Sequence, residues 1–169
     1  MRKGAEKKRA LLLSVLFALA ASGLEAQGLD HGIALYKEGK YAEAEPLLRG
    51  VSSLEAKAYL AATLARLKRH EEAETQAKAV LAENATHPVA VAALGESLVA
   101  QQKLDEAVER LSAALKAQAD LAYAYHWRGQ AYQLKKQVAR MVEDYQSFLK
   151  LAPEAPEAPA IKVLLAGLR

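Results

Sequence analysis

From about residue 28 onward, apolar and small residues recur in steps of three and four, the spacing of one face of an α-helix. Glycine or alanine stands at Gly32, Ala61, Gly95 and Gly129, at separations of 29, 34 and 34 residues. Three positions later come Leu35, Leu64, Leu98 and Tyr132; nine later, Tyr41, His70, Leu104 and Val138; twelve later, Ala44, Ala73, Ala107 and Met141; sixteen later, Leu48, Ala77, Leu111 and Tyr145; nineteen later, Val51, Val80, Ala114 and Phe148. Short polar turns such as Gln101-Gln102-Lys103 separate a first helix from a second in each period. Helices joined so briefly run antiparallel. The small residues are expected where two helix backbones cross, and because one such hairpin cannot bury its apolar face alone, the hairpins are expected to stack.

This ladder resembles the tetratricopeptide repeat. The resemblance is fullest over 122–153, through Trp127, Gly129, Tyr132, Tyr145, Phe148 and the closing Leu149-Lys150-Leu151-Ala152-Pro153. It continues over 88–119 through Leu94, Gly95, Leu98, Ala107 and Leu111, is weaker over 54–85, and is degenerate over 28–52. It implies an all-α, right-handed helical-hairpin solenoid of four repeats spanning 27–153. A Pro-rich connector and a C-terminal capping helix are expected in 154–169, since a solenoid needs an end cap.

Several departures from the repeat carry expectations of their own. The short first interval predicts a shortened second helix or connector in repeat one. Pro46 is expected near that helix's first turn, where its missing donor has no partner. Ser52-Ser53-Leu54-Glu55 has the order of a capping box. Pro88 is expected at the first position of its helix, and Asp120 as a cap for the helix that follows it. Pro153, Pro156 and Pro159 recur every third residue, which predicts an extended connector.

Before the repeats, Arg2, Lys3, Lys7, Lys8 and Arg9 precede an apolar run, Ala10 to Leu24. The run is short for a membrane span, and basic-then-apolar order is that of an export signal. Residues 1–26 are therefore read as a signal peptide, with cleavage before Gln27 or near Ala21-Ser22-Gly23. The mature chain is expected to be periplasmic or extracellular and without an integral span, or membrane-anchored if the signal stays. Its removal also changes the charge: the formal +3 falls to zero, with 18 basic and 18 acidic residues left. A neutral chain lacks the basic surface expected of nucleic-acid binding.

Aromatic residues are scarce at 6%, which disfavours sheet, and the absence of cysteine removes disulfides, thiolate nucleophiles and thiolate metal sites. His31, His70, His87 and His126 lack metal-ligand spacing, and no phosphate loop or Gly-x-Ser-x-Gly element occurs. No cofactor and no enzymatic activity are expected.

The resemblance implies that first helices line a concave groove that takes up a peptide or helix of another protein. The positions it assigns to the groove are Tyr36, Lys37, Arg66, Glu96, Val99, Tyr123, His126, Gln130 and Gln133, with Tyr123, His126 and Gln130 at its centre. Arg66 is expected to hold a carboxylate by paired hydrogen bonds. Relatives that bind chaperone tails grip a terminal carboxylate with Asn and Lys. The matching positions include Leu29, Ala58, Ala92 and Glu96 and hold no Asn, so that use is not expected. The reading is an exported interaction adaptor or assembly factor of the cell envelope. Its alternative is a structural subunit that self-associates.

Overall fold

The computed structural model describes residue 23 and residues 25–168; the expected export signal lies almost entirely outside these. All regular structure among them is helical. Residues 25–37 form α1, followed by α2 (Tyr41–Arg49), α3 (Leu54–Arg66), α4 (His70–Glu83), α5 (Pro88–Ala100), α6 (Leu104–Ala117), α7 (Ala122–Leu134), α8 (Val138–Leu151) and α9 (Ala158–Ala166).

The helices stack as the ladder predicts. Each of α2 to α8 packs on the next in sequence. Helix α1 joins the stack through Leu29, Ile33 and Leu35, which share a core with Leu48 and Leu64. First helices also pack side by side, α3 on α5 and α5 on α7, whereas the backbones of α4, α6 and α8 stay further apart. One face is thus a continuous row of first helices. At its centre α5 lies against α3, α4, α6 and α7, which accounts for its nearly unbroken apolar text, PVAVAALGESLVA.

The ladder positions form the core. Leu48, Leu64, Leu98, Leu111, Val80 and Phe148 are fully buried, and Ala44, Ala73 and Ala107 have no exposed surface. Burying each large side chain contributes roughly 1.5–3 kcal/mol. The exception is the position nine after the small residue. Tyr41, His70, Leu104 and Val138 each begin a second helix, where the chain is still entering the core, and Val138 is 50% exposed.

The turn within each hairpin repeats as well. Gly39, Lys68, Gln102 and Lys136 all have positive φ, at the same 29, 34 and 34 spacing. Only the first is glycine, so three hairpins hold an L side chain in the left-handed region.

Ion pairs tie successive repeats. Glu45 of α2 receives Arg69, the residue capping α4, at 2.7 and 2.8 Å. In register, Glu74 of α4 receives Lys103, which caps α6, at 2.8 Å. Lys103, Lys78 and Gln101 around Glu74 outweigh the burial that opposes its charge and hold its pKa down at about 2. The last step departs from this register, since Val108 stands where Glu74 would recur. There Arg128 of α7 forms a paired contact with the buried Asp144 of α8 at 2.7 and 2.8 Å and donates to Ser112 of α6 at 2.8 Å.

Four local expectations are corrected. Helix α2 is the short one, at 9 residues against 14 in α4, but Pro46 is its sixth residue and lies inside it. Ser53 alone caps α3, accepting from the Ala56 amide at 3.2 Å, while Glu55 turns away to His87 Nε2 at 3.0 Å. Asp120 makes no cap; Leu121 occupies that position. The Pro-rich connector is a series of tight turns, with Ala155 N–H donating to Ala152 and Ala158 N–H to Ala155. This folds the chain back so that Ile161 of α9 closes over Tyr145 and Phe148. Pro88, by contrast, opens α5 as expected.

Candidate interaction groove

The row of first helices encloses a groove of about 310 Å³. Its walls are aromatic: Tyr36 from α1, Tyr59 from α3, Tyr123 and Trp127 from α7. Its floor is small and aliphatic, formed by Ala62, Ala92 and Ala93 with Pro88 and Val89 at one edge. Within it, Arg66 Nη1 lies 3.4 Å from Glu96 Oε1. Tyr36 stands edge-on to Tyr59, with ring centroids 5.4 Å apart.

Burial sets the protonation of these groups. It raises the Glu96 pKa despite the opposing pull of Arg66. It raises Tyr36 as well, again against Arg66. Burial works against the charge of Arg66, but Glu96 and the Tyr36 hydroxyl more than offset it. Tyr123 is pushed up to about 12, first by burial and then by Glu157, whose carboxylate accepts its hydroxyl at 3.1 Å. Glu157 belongs to the connector before α9, so the C-terminal segment forms one end of the groove.

Of the nine residues that the resemblance assigned to the groove, the structure brings together Tyr36, Arg66, Glu96 and Tyr123. The other five lie elsewhere. Val99 is 4% exposed and belongs to the core between α5 and its neighbours. His126 is 8% exposed and sits behind Tyr123, its ring 5.0 Å from Phe148 and 4.8 Å from Trp127. Its pKa is lowered by burial. Gln133 accepts the Tyr145 hydroxyl at 2.8 Å, away from the groove. Lys37 is exposed and Gln130 half-buried, and neither lines it.

The division follows the path of the groove. The groove crosses the first helices obliquely, touching α1 in its last turn, α3 along its middle and end, and α7 in its first two turns. The same register therefore does not face the groove in every repeat. Two of its aromatic walls, Tyr59 and Trp127, stand two residues before the small position, at Ala61 and Gly129. That spacing was available as a signal.

Gly95 explains how Trp127 is seated. A Cβ there would lie 2.7 Å from Trp127 Cβ and 3.0 Å from its Cγ. The missing side chain makes room for an aromatic residue of the next repeat. Gly32 and Gly129 instead admit Leu48 and Tyr145 of their own hairpins, as the ladder predicts.

Stacked helical hairpins with a groove along one row of helices define an α-solenoid repeat protein. Residues 95–136 match the family model described as TPR repeat. The fold is similar to that of TTC0263, a thermophilic TPR protein of Thermus thermophilus, with a TM-score of 0.73 and 24% identity over 85% of this chain and 80% of that one. It is also similar to pilF of Pseudomonas aeruginosa, with a TM-score of 0.67 and 20% identity over 82% and 66% of the two chains. MamA of Desulfovibrio magneticus RS-1 gives a TM-score of 0.62 and 22% identity over 85% and 86%. No curated protein matches the chain. Residues 95–136 thus match the tetratricopeptide repeat, and the chain has the right-handed helical-hairpin solenoid fold of these proteins.

Proposed function

We propose that this protein is an interaction adaptor or assembly factor of the cell envelope, which holds a peptide or helical segment of another protein in the groove on its first helices. The observation that carries the reading is the groove itself. Four helices from four repeats place Tyr and Trp walls around an alanine floor, and such rigid aromatic surfaces supply contact area at low entropic cost. Because the stacked repeats hold the walls in place, a docking segment need order only itself. Among the described residues, no set of three or more histidine and acidic side chains is placed to hold a metal ion. The export address rests on the basic and apolar order of residues 2–24.

The test is a pull-down of the tagged protein from envelope extract, compared with Ala92→Arg, which fills the groove floor. A protein retained by the first and lost by the second supports the reading; equal capture by both removes it. Cell fractionation with amino-terminal sequencing tests the address, with Gln27 expected as the new terminus.

One observation favours the self-associating alternative. Apolar side chains gather at the C-terminal end, where Val163 is 75% exposed and Leu168, 49% exposed, lines a cavity of about 490 Å³ with Val142, Leu149 and Leu165. Light scattering of the purified chain decides it, because self-assembly appears without any partner and is lost on Val163→Lys.

A further inference from the structure

The charged groups of the groove are unequally satisfied. Glu96 is the informative residue. Its side chain is 16% exposed, close to the 18% of Glu45. Glu45 is saturated, with Arg69 at 2.7 and 2.8 Å and Arg49 at 2.9 Å. Glu74, at 11%, receives three donors within 2.8 Å. Glu96 receives no hydrogen bond among the described residues, and its nearest cation, Arg66, stands off at 3.4 Å. Charge-assisted pairs close to about 2.7–2.9 Å when both partners are committed. Glu96 is thus a partly desolvated carboxylate with acceptor capacity in hand, and it lines an open groove.

The surroundings select what can use that capacity. The charged groups at the groove are Arg66 from α3, Glu96 from α5 and, at the α9 end, Glu157; Lys68 acts on Glu96 from the exposed turn after α3. Arg66 lies 3.4 Å from Glu96, so a carboxylate brought to it also meets the like charge of Glu96. Around the acids stand the rings of Tyr36, Tyr59, Tyr123 and Trp127. Aromatic faces attract cations, and a guanidinium both stacks on rings and meets a carboxylate with two donors.

Resting on the groove reading above, we infer that the occupant is an extended peptide segment anchored by one arginine side chain, which lies between the aromatic walls and donates to Glu96. Lysine, a compact point charge without a stacking plane, binds the same place more weakly.

The experiment is selection of a displayed random heptapeptide library on the whole chain, followed by titration of synthetic consensus peptides. Binding is read by the emission of Trp127, the chain's one tryptophan, which lines the groove. The expected consensus carries arginine among small or apolar residues, and its Arg→Gln peptide binds about ten-fold or more weakly. The protein variants then give opposite signs. Glu96→Gln, nearly isosteric, weakens the arginine peptide by a similar factor, with an unchanged circular dichroism spectrum. Arg66→Gln leaves its affinity equal or higher, since a competing cation is gone. A consensus that is acidic, or a loss of affinity with Arg66→Gln and not with Glu96→Gln, overturns the inference while the groove reading stands. Absence of any consensus overturns both.

Discussion

Gly95 is the position where the stacking of repeats is most exposed to a single methyl group. In Gly95→Ala the new Cβ meets Trp127 at its root, 2.7 Å from Cβ, 3.0 Å from Cγ and 3.1 Å from Cδ1. These atoms cannot swing aside as a side-chain tip does, so α7 itself must move away from α5. Overpacking of this kind costs about 1–3 kcal/mol, and replacing a helical glycine by alanine returns about 1 kcal/mol. The net expectation is a loss of roughly 0–2 kcal/mol for alanine and more for Gly95→Leu. Gly28→Ala is the control. Its Cβ meets only Val51 Cγ2, the end of a side chain, at 3.3 Å, so the helix gain dominates there. Denaturant unfolding followed by circular dichroism compares the two, and a difference of about 1 kcal/mol also moves Tm by about 2–4 °C. Trp127 emission locates the damage, because displacement of α7 changes the surroundings of the reporting ring. If Gly95→Ala is as stable as Gly28→Ala and keeps native emission, the packing assigned to α5 and α7 is wrong.

Four further outcomes follow from the same geometry. Gln102→Gly relieves a left-handed turn residue with φ of 60° and is expected to stabilise by up to about 1 kcal/mol, measured by thermal melting. Arg128→Met leaves Asp144 buried without its cation and is expected to cost about 3 kcal/mol or more in chemical denaturation. His126, whose pKa is lowered by burial, stays neutral in the folded chain while the unfolded chain takes up its proton from about pH 6.5 downward. Its contribution is therefore intact above about pH 6.5 and lost as pH falls toward the lowered value, and His126→Leu should flatten that part of the stability profile. Deleting 157–169 removes Ile161 from Phe148 and Glu157 from Tyr123, and light scattering is expected to show aggregation.

The hairpins and their order were legible because the core of a solenoid is local and periodic. Ala44, Leu48, Ala73 and Ala107 announce their burial by spacing alone. Contacts that cross repeats were not legible in this way. Gly95 looked like a crossing point within its hairpin and proved to seat an aromatic ring 32 residues away in sequence. His126 looked like a groove residue, but one helical turn places it behind Tyr123 against Phe148. The oblique path of the groove, which depends on how far each repeat rotates on the last, separated Tyr36 from Val99 and Gln133 although all three stand four residues after the small position of their repeats. Glu157 reaches Tyr123 only because the Pro-rich connector turns back on itself, where three spaced prolines promised extension. Pro46 lies inside α2 because packing of Leu48 and Ala44 holds that short helix together past its missing donor.

The central claim is that the row of first helices, and not the opposite face, holds another protein. Photo-crosslinking in intact cells tests it most directly. A benzoylphenylalanine placed at Tyr59, on the groove wall, exchanges one aromatic ring for another; the same residue at Ala113 lies on the cavity between α4 and α6. The account predicts a discrete adduct from position 59 and none from position 113. An adduct from 113 with none from 59 would contradict it.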